Sequence, residues 1–554
     1  MEGFTPWPEE FAARYRKEGY WLDKTISEIL DDCFKKYADR TALISEKGQS
    51  LKYDDLNRLS TRLALHFNAM GLKLYDRIVL QIPNIPEMLI TYLAILKAGC
   101  IPIMALPAHR ESEIGYFTKF AEARALAIPA SYRKYDYQKM AVAIKAEAPS
   151  VKSVFVVGDE SQQNFHSLEE LLNDSIEKSA DRSPLPRPDP NMPAVFQLSG
   201  GTTGIPKLIP RTHNDYVYNF LCNAEICQLN QETVLLLAIP QEHNFAIACP
   251  GFKGVISRGG CEILSENPDP TTALELIQKY AVTHWIAVPA MIIGLLNHPK
   301  RRDYDLSSLK VILTGGSKLN PEVAKRIGPE IGCGVQQVLG MAEGPLYWTR
   351  LDDPEEVYIN TQGRPQSPAD EFKIVDPDTG QEVFSGHTGE LWCRGPYTIR
   401  GYYKAPEQNA KAFSADGFYK SGDLVRLHPS GNVIVEGRIK DCINRGGEKI
   451  SAEEVEDHIL AHNDVDICAY VAMPDTVLGE RACAFVVLKP EKQMNLESLN
   501  EFLLNERKIA KFKLPERLEI VDELPLTNVG KINKKKLREI ITAKLNEEKT
   551  IDSA

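Results

Sequence analysis

A chain of 554 residues exceeds what one hydrophobic core supports, so two or more domains are expected. Apolar residues at 43% and charged residues at 25% are ordinary for a globular protein, and a formal net charge of −11 excludes a general nucleic-acid binder while leaving room for a local phosphate site. Eleven cysteines without a C-x-x-C pair exclude zinc-finger spacing and suit a reducing compartment.

The N-terminus, Met1-Glu2-Gly3-Phe4-Thr5-Pro6-Trp7-Pro8, lacks the basic-then-apolar pattern of a signal peptide. The longest apolar stretch, Trp285 to Leu296, is short and broken by Pro289, so no membrane span and a cytoplasmic setting are expected. Along the chain, Thr25–Tyr37 and Tyr53–Leu72 carry apolar residues at helical spacing. Arg77–Ile82 reads as a strand, Pro86–Ala98 as a helix, Ile101–Met104 as a strand, Glu111–Ala125 as a helix and Val154–Val157 as a strand. Such alternation indicates α/β layers with largely parallel strands. The Pro-rich stretch Asp181–Pro193 reads as a connector to a buried strand at Ala194–Leu198.

That strand runs into Ser199-Gly200-Gly201-Thr202-Thr203-Gly204-Ile205-Pro206-Lys207. Three glycines, three hydroxyls and a lysine in nine residues suit a loop whose N–H groups cradle phosphate oxygens. It is not the common P-loop, because Ile205-Pro206 separates Gly204 from Lys207. Further strands are expected at Val234–Ile239, Trp285–Val288, Val311–Thr314 and Val335–Leu339. Ligands in open α/β sheets sit at the carboxyl ends of strands. The loops His243-Asn244, Gly315-Gly316 and Gly340–Gly344 are therefore expected to converge on one crevice. Between Glu371 and Val435, short strands alternate with Gly-rich turns, indicating a small β-rich subdomain. Beyond Gly437-Arg438-Ile439-Lys440-Asp441 lies an α+β unit with helices near Ala452–Ala461 and Leu496–Glu506, strands at Ile467–Ala472 and Ala482–Leu488, and a charged helix at Lys534–Lys549.

Several spaced motifs then agree: the loop at Ser199–Lys207, Gly340-Met341-Ala342-Glu343, Tyr419-Lys420-Ser421-Gly422-Asp423, Gly437–Asp441, Asn444–Lys449 and Pro525–Lys531. In this order they resemble the adenylate-forming superfamily of acyl- and aryl-CoA synthetases, adenylation domains and luciferases. Phe4–Pro8, His243-Asn244-Phe245 and Gly340–Gly344 resemble the stand-alone aryl acid–AMP ligases of siderophore biosynthesis, where Ala is usual at the place of Ala342. The resemblance implies an α/β fold: a large N-terminal domain of layered α/β subdomains plus a small β-rich subdomain (1–438), a hinge (439–441), and a small mobile α+β C-terminal domain (442–554).

The resemblance also implies two half-reactions. An aryl carboxylate attacks the α-phosphate of ATP, with Mg²⁺ present, giving an aryl-adenylate and pyrophosphate, and a phosphopantetheine thiol on an aryl carrier protein then attacks the adenylate, giving a thioester and AMP. Lys531 is implied as the catalytic cation, with His243 and Glu343 beside it, and Glu343 as the Mg²⁺ ligand. Ser199, Gly200, Gly201, Thr202, Thr203, Gly204 and Lys207 are implied to hold phosphates. Asp423 is implied to take the ribose hydroxyls with Arg438 in support, and Gly316, Val338, Leu339 and Gly340 to wall the adenine. His243, Asn244, Phe245, Cys249, Gly316 and Leu346 would form the acid pocket, and Lys440 the swivel. Relatives that take 2,3-dihydroxybenzoate tend to carry Ser where Cys249 stands and Val where Leu346 stands. Cys and Leu are similar to the salicylate pattern, so salicylate is expected first and 2,3-dihydroxybenzoate second. An aryl-CoA ligase and a non-catalytic binding protein on the same fold stay open as alternatives. No nucleic-acid or membrane partner is expected.

Overall fold

The computed structural model describes the chain except residues 159–163, 179–183, 200–206, 446–447, 476–477, 508, 510, 528–529 and 553–554. Two large, mostly parallel sheets form the N-terminal part. The seven-stranded sheet runs in the order Leu208–Thr212, Pro193–Leu198, Ile101–Met104, Arg77–Leu80, Ala125–Pro129, Ser153–Val157, His166–Ser167. The nine-stranded sheet runs Arg364–Pro365, Leu346–Trp348, Gly334–Gly340, Val311–Gly315, His284–Ala287, Val234–Leu237, Cys261–Leu264, Thr41–Ser45, Ser50–Lys52. Helix Pro86–Lys97 is buried along its whole length, as its near-continuous apolar sequence requires, and it contacts strands of both sheets.

Local signals account for many of the elements. Helix Ile26–Lys36 starts at a capping box in which Thr25 and Glu28 satisfy each other's backbone N–H, and it buries Ile26, Leu30 and Phe34 at i, i+4 and i+8. The helix expected over Glu111–Ala125 stops at Phe120. Glu122 turns into the left-handed region at φ 51°, and Ala125-Leu126-Ala127-Ile128-Pro129 forms a fully buried strand parallel to Arg77–Leu80 and Ser153–Val157. Its two alanines read as helix by propensity, and burial between two strands overrides them. Helix Tyr137–Glu147, which periodicity did not reveal, begins at Asp136, whose carboxylate accepts the Lys139 N–H.

Strands Glu371–Val375, Gly389–Arg394, Tyr419–Leu427 and Val433–Arg438 form an antiparallel four-stranded sheet. Beyond it, a five-stranded sheet begins at Cys442 and has its own apolar clusters on both faces. Helix Ala452–Leu460 of this unit meets the preceding part of the chain through Asp457. Its carboxylate lies 2.9 Å from Lys318 Nζ and accepts the Asn320 amide at 3.1 Å. Among the described residues, no helix is long and apolar enough to cross a membrane.

Candidate functional site

Adjacent parallel strands end at one place. Val234–Leu237 leads into Ile239, Pro240 and His243; His284–Ala287 leads into Val288; Val311–Gly315 leads into Gly316. Ile239, Pro240, His243, Phe245, Val288, Gly316 and Lys531 enclose a narrow cavity of about 10 Å³, room for one water. The crevice lies at the carboxyl edge of the sheet, where the topology directs ligands. Lys531 enters from the C-terminal unit, far away in sequence.

Two glycines make this approach possible. A Cβ at Gly315 would lie 2.5 Å from Val338 Cγ1 and 2.9 Å from the Val338 carbonyl, so only hydrogen fits between these paired strands. Gly316 has φ +86°, and a Cβ there would lie 3.3 Å from Lys531 Cε. Lys531 itself is held by a tight turn in which its N–H donates to Thr527 Oγ1 at 3.1 Å. Gly530 occupies the left-handed region at φ +76° and directs the chain into that turn.

His243 caps the short helix Asn244–Ala248, and its Nδ1 accepts the Phe245 N–H at 3.2 Å, which leaves the ring proton on Nε2. Burial, and secondly the Lys531 ammonium, push the imidazole down to about 4. His243 is therefore neutral at pH 7, and Lys531 brings the positive charge to the cavity. Asn244 and Cys249 do not line the cavity. They form a polar layer behind it, in which the Asn244 amide donates to Cys249 Sγ at 3.2 Å and accepts the Tyr216 hydroxyl at 2.6 Å. Leu346 is buried, and its Cδ2 lies 2.5 Å from where a Cβ on Gly340 would stand.

A second cluster surrounds Glu343 and Asp423. The Tyr402 hydroxyl donates to Glu343 Oε1 at 2.8 Å, and burial raises the Tyr402 and Tyr419 hydroxyls, which keeps both protonated. Lys207 Nζ stands 4.6 Å from the Tyr402 ring centroid. Ser199 and Lys207 close the base of the glycine-hydroxyl loop: the Lys207 N–H donates to Ser199 Oγ at 2.9 Å, and the Ser199 N–H to the Lys207 carbonyl at 3.0 Å. Gly200, Gly201, Thr202, Thr203 and Gly204 lie outside the described residues.

Asp423 sits within a strand, opposite Arg438 in the register, and Arg438 Nε donates to Asp423 Oδ1 at 2.5 Å. The carboxylate beside it raises the Arg438 guanidinium further above its ordinary value. Asp423 Oδ2 is buried and has no hydrogen-bond partner among the described residues. An orphaned carboxylate oxygen of this kind fits a sugar hydroxyl. No group of three or more His, Cys, Asp or Glu side chains gathers as a metal site among the described residues. Glu343 alone fits the manner in which Mg²⁺ is held, by one or two carboxylates together with substrate phosphates. Val338, Leu339 and Gly340 close the strand whose end faces this cluster, and Lys440 lies in the turn Ile439–Asp441.

The turn carrying Glu343 is fixed by residues that no motif reveals. Arg211, wholly buried in an ion pair with Asp215 at 2.8 Å, donates to the carbonyls of Ala342 at 3.0 Å and Tyr397 at 3.3 Å. Charged residues ordinarily signal solvent, so this pair is not visible as part of a site from spacing alone.

Residues 30–403 match the AMP-binding enzyme family and residues 454–531 its C-terminal domain. The chain is 46% identical over 545 residues to the 2,3-dihydroxybenzoate-AMP ligase of Bacillus subtilis, covering 98% of this chain and 99% of that one. It is 44% identical over 551 residues to a salicylyl-CoA synthase / salicylate adenylyltransferase of a Streptomyces species, covering 98% of each. Among solved structures, the apo structure of MbtA from Mycobacterium smegmatis superposes with a TM-score of 0.74 at 40% identity, over 97% of this chain and 98% of that one.

Proposed function

The chain belongs to the AMP-binding enzyme family, and from that premise we infer that this adenylate-forming ligase activates salicylate with ATP and passes it to the phosphopantetheine thiol of an aryl carrier protein. Its aryl acid adenylation rests on the whole-length relatives. The choice of salicylate is our reading of the pocket. The observation that carries the reading is the position of Lys531, which reaches from the C-terminal unit into the cavity lined by His243, Phe245 and Gly316.

In the first half-reaction an anion must approach a polyanion, so positioning and charge dominate the barrier. Lys531 supplies the cation between carboxylate and α-phosphate. Neutral His243 lines the pocket without adding a second charge, and Phe245 offers the aromatic ring an apolar face. Asp423 Oδ2 takes a ribose hydroxyl, with Arg438 holding the other oxygen in place. Lys207, beside Tyr402, supplies positive charge for the phosphates. Glu343, together with phosphate oxygens, would hold Mg²⁺, which would supply positive charge against the ATP phosphates. The thiol then attacks the acyl carbon, AMP leaves with the former carboxylate oxygen, and the thioester forms. Coenzyme A is the second candidate acceptor, favoured by the name of the Streptomyces relative; thioester assays with coenzyme A and with a holo carrier protein distinguish the two.

Overall identity to 2,3-dihydroxybenzoate and salicylate enzymes is nearly equal, so the pocket must decide. Cys249 is a weak hydrogen-bonding partner for a 3-hydroxyl, and Leu346 occupies more room than valine. ATP–pyrophosphate exchange across benzoate, salicylate and dihydroxybenzoates should be fastest with salicylate. Cys249→Ser combined with Leu346→Val should move the kcat/KM ratio toward 2,3-dihydroxybenzoate by about tenfold, the equivalent of one buried hydrogen bond. An unchanged ratio would remove the pocket argument.

A further inference from the structure

A buried chain of hydrogen bonds runs behind the acid cavity, and its direction is set by its ends. At one end the Trp348 indole N–H, which can only donate, gives its proton to Asn223 Oδ1 at 2.7 Å. Asn223 Nδ2 then donates to the Asn219 carbonyl at 2.8 Å and to Asn219 Oδ1 at 3.2 Å. That fixes the other amide, so Asn219 Nδ2 donates to Cys249 Sγ at 3.4 Å. At the opposite end, Gln197 Nε2 donates to the Tyr216 hydroxyl at 3.1 Å, so the hydroxyl proton is directed at Asn244 Oδ1, 2.6 Å away. Asn244 Nδ2 in turn donates to Cys249 Sγ at 3.2 Å.

Tyr216, Asn219 and Asn223 share one face of helix His213–Ile226, and all three are fully buried. The Tyr216 ring cannot drift, because the Arg211 guanidinium stands 4.4 Å and Lys253 Nζ 3.3 Å from its centroid. Cys249 sulfur thus receives two N–H groups, and burial raises its pKa, so it remains a thiol. Asn244 oxygen is occupied by Tyr216. What this layer has left to offer a ring substituent is donors: the second Asn244 N–H and the Cys249 S–H.

We propose that Tyr216 is a positioning residue that locks the Asn244 amide with its N–H toward the bound acid, so that the site selects an ortho oxygen over an ortho amino group. This rests on the aryl acid reading above and on one further premise, that the bound acid reaches past the one-water cavity to the layer behind it and sets its ortho position against Asn244. A 2-hydroxybenzoate turns its own O–H toward its carboxylate and exposes lone pairs, which meet the donors. A 2-aminobenzoate exposes an N–H, which sets donor against donor and strands both.

The experiment compares salicylate with anthranilate in ATP–pyrophosphate exchange, for the unmodified protein and for Tyr216→Phe. The phenyl ring keeps its place between Arg211 and Lys253, but the amide loses the proton that holds its oxygen and is free to turn over. In the unmodified protein kcat/KM should favour salicylate by at least about tenfold. In Tyr216→Phe the preference should shrink about tenfold, with a lower KM for anthranilate and an unchanged KM for ATP. A merely structural defect would slow both acids alike. Equal use of both acids by the unmodified protein overturns the proposal even if the variant does not fold, and so does an unaltered preference in Tyr216→Phe. Absence of exchange with every aryl acid would instead overturn the underlying reading of the site.

Discussion

Lys531→Ala will lose aryl-adenylate formation by at least about two to three orders of magnitude, the scale of removing one preorganised charge-stabilising group. Lys531 comes from the C-terminal unit to line the cavity, and burial first, then its ammonium, lower the His243 imidazole and keep it unprotonated. Without it, the side chains lining the cavity among the described residues are a neutral histidine and apolar walls, and none of them sets a positive charge between the carboxylate and the α-phosphate. The fold should survive, because alanine keeps the backbone N–H that donates to Thr527. Circular dichroism and thermal melting should match the unmodified protein, and thioester formation from supplied salicyl-adenylate should continue. Exchange at a near-normal rate would remove the central catalytic assignment.

Gly344→Ala should be the most damaging single-methyl change in the site. Gly344 adopts φ +128°, and a Cβ there would stand 1.9 Å from the Tyr397 carbonyl oxygen and 2.7 Å from Thr398 Cα. The obstacle is backbone, not a side chain that can swing away. The turn carries Glu343, whose carbonyl accepts the Ile399 N–H at 2.8 Å, so relief of the clash must pull the carboxylate from Tyr402. A destabilisation of about 3 kcal/mol or more is expected, with loss of Mg²⁺-dependent exchange. Gly422→Ala is the control: its φ is +73°, but open space surrounds it, so only about 1–2 kcal/mol of conformational strain applies. Chemical denaturation of both variants checks the order. Equal midpoints would mean that the Tyr397 contact does not constrain the turn.

Much of the architecture was legible where sequence period and burial agree. Arg77–Leu80, Pro86–Lys97 and Ile101–Met104 lie where the alternation of apolar runs places them, because a central parallel sheet needs continuous apolar strands and a buried crossover helix. Ala125–Pro129 was hidden because alanine carries helical propensity and only its neighbours in the sheet make it a strand. The loop at Gly315-Gly316 was expected to share a crevice with His243-Asn244, but nothing in it says what else enters that crevice. That Lys531 crosses Gly316 follows from packing between units some two hundred residues apart, which no local pattern encodes. Helix His213–Ile226 drew no reading from the sequence. Asn214, Asp215, Asn219 and Asn223 look solvated in sequence and are buried in the structure, because Asp23, Arg211, Cys249 and Trp348 supply their respective partners.

The claim beneath all of this is that a carboxylate oxygen of the acid attacks the α-phosphate at the cavity shared by His243 and Lys531. Salicylate labelled with ¹⁸O in both carboxylate oxygens tests it. After one turnover to the thioester, mass spectrometry should find AMP carrying a single ¹⁸O, with the other retained in the acyl group. Unlabelled AMP, or ADP as the nucleotide product, would contradict the account.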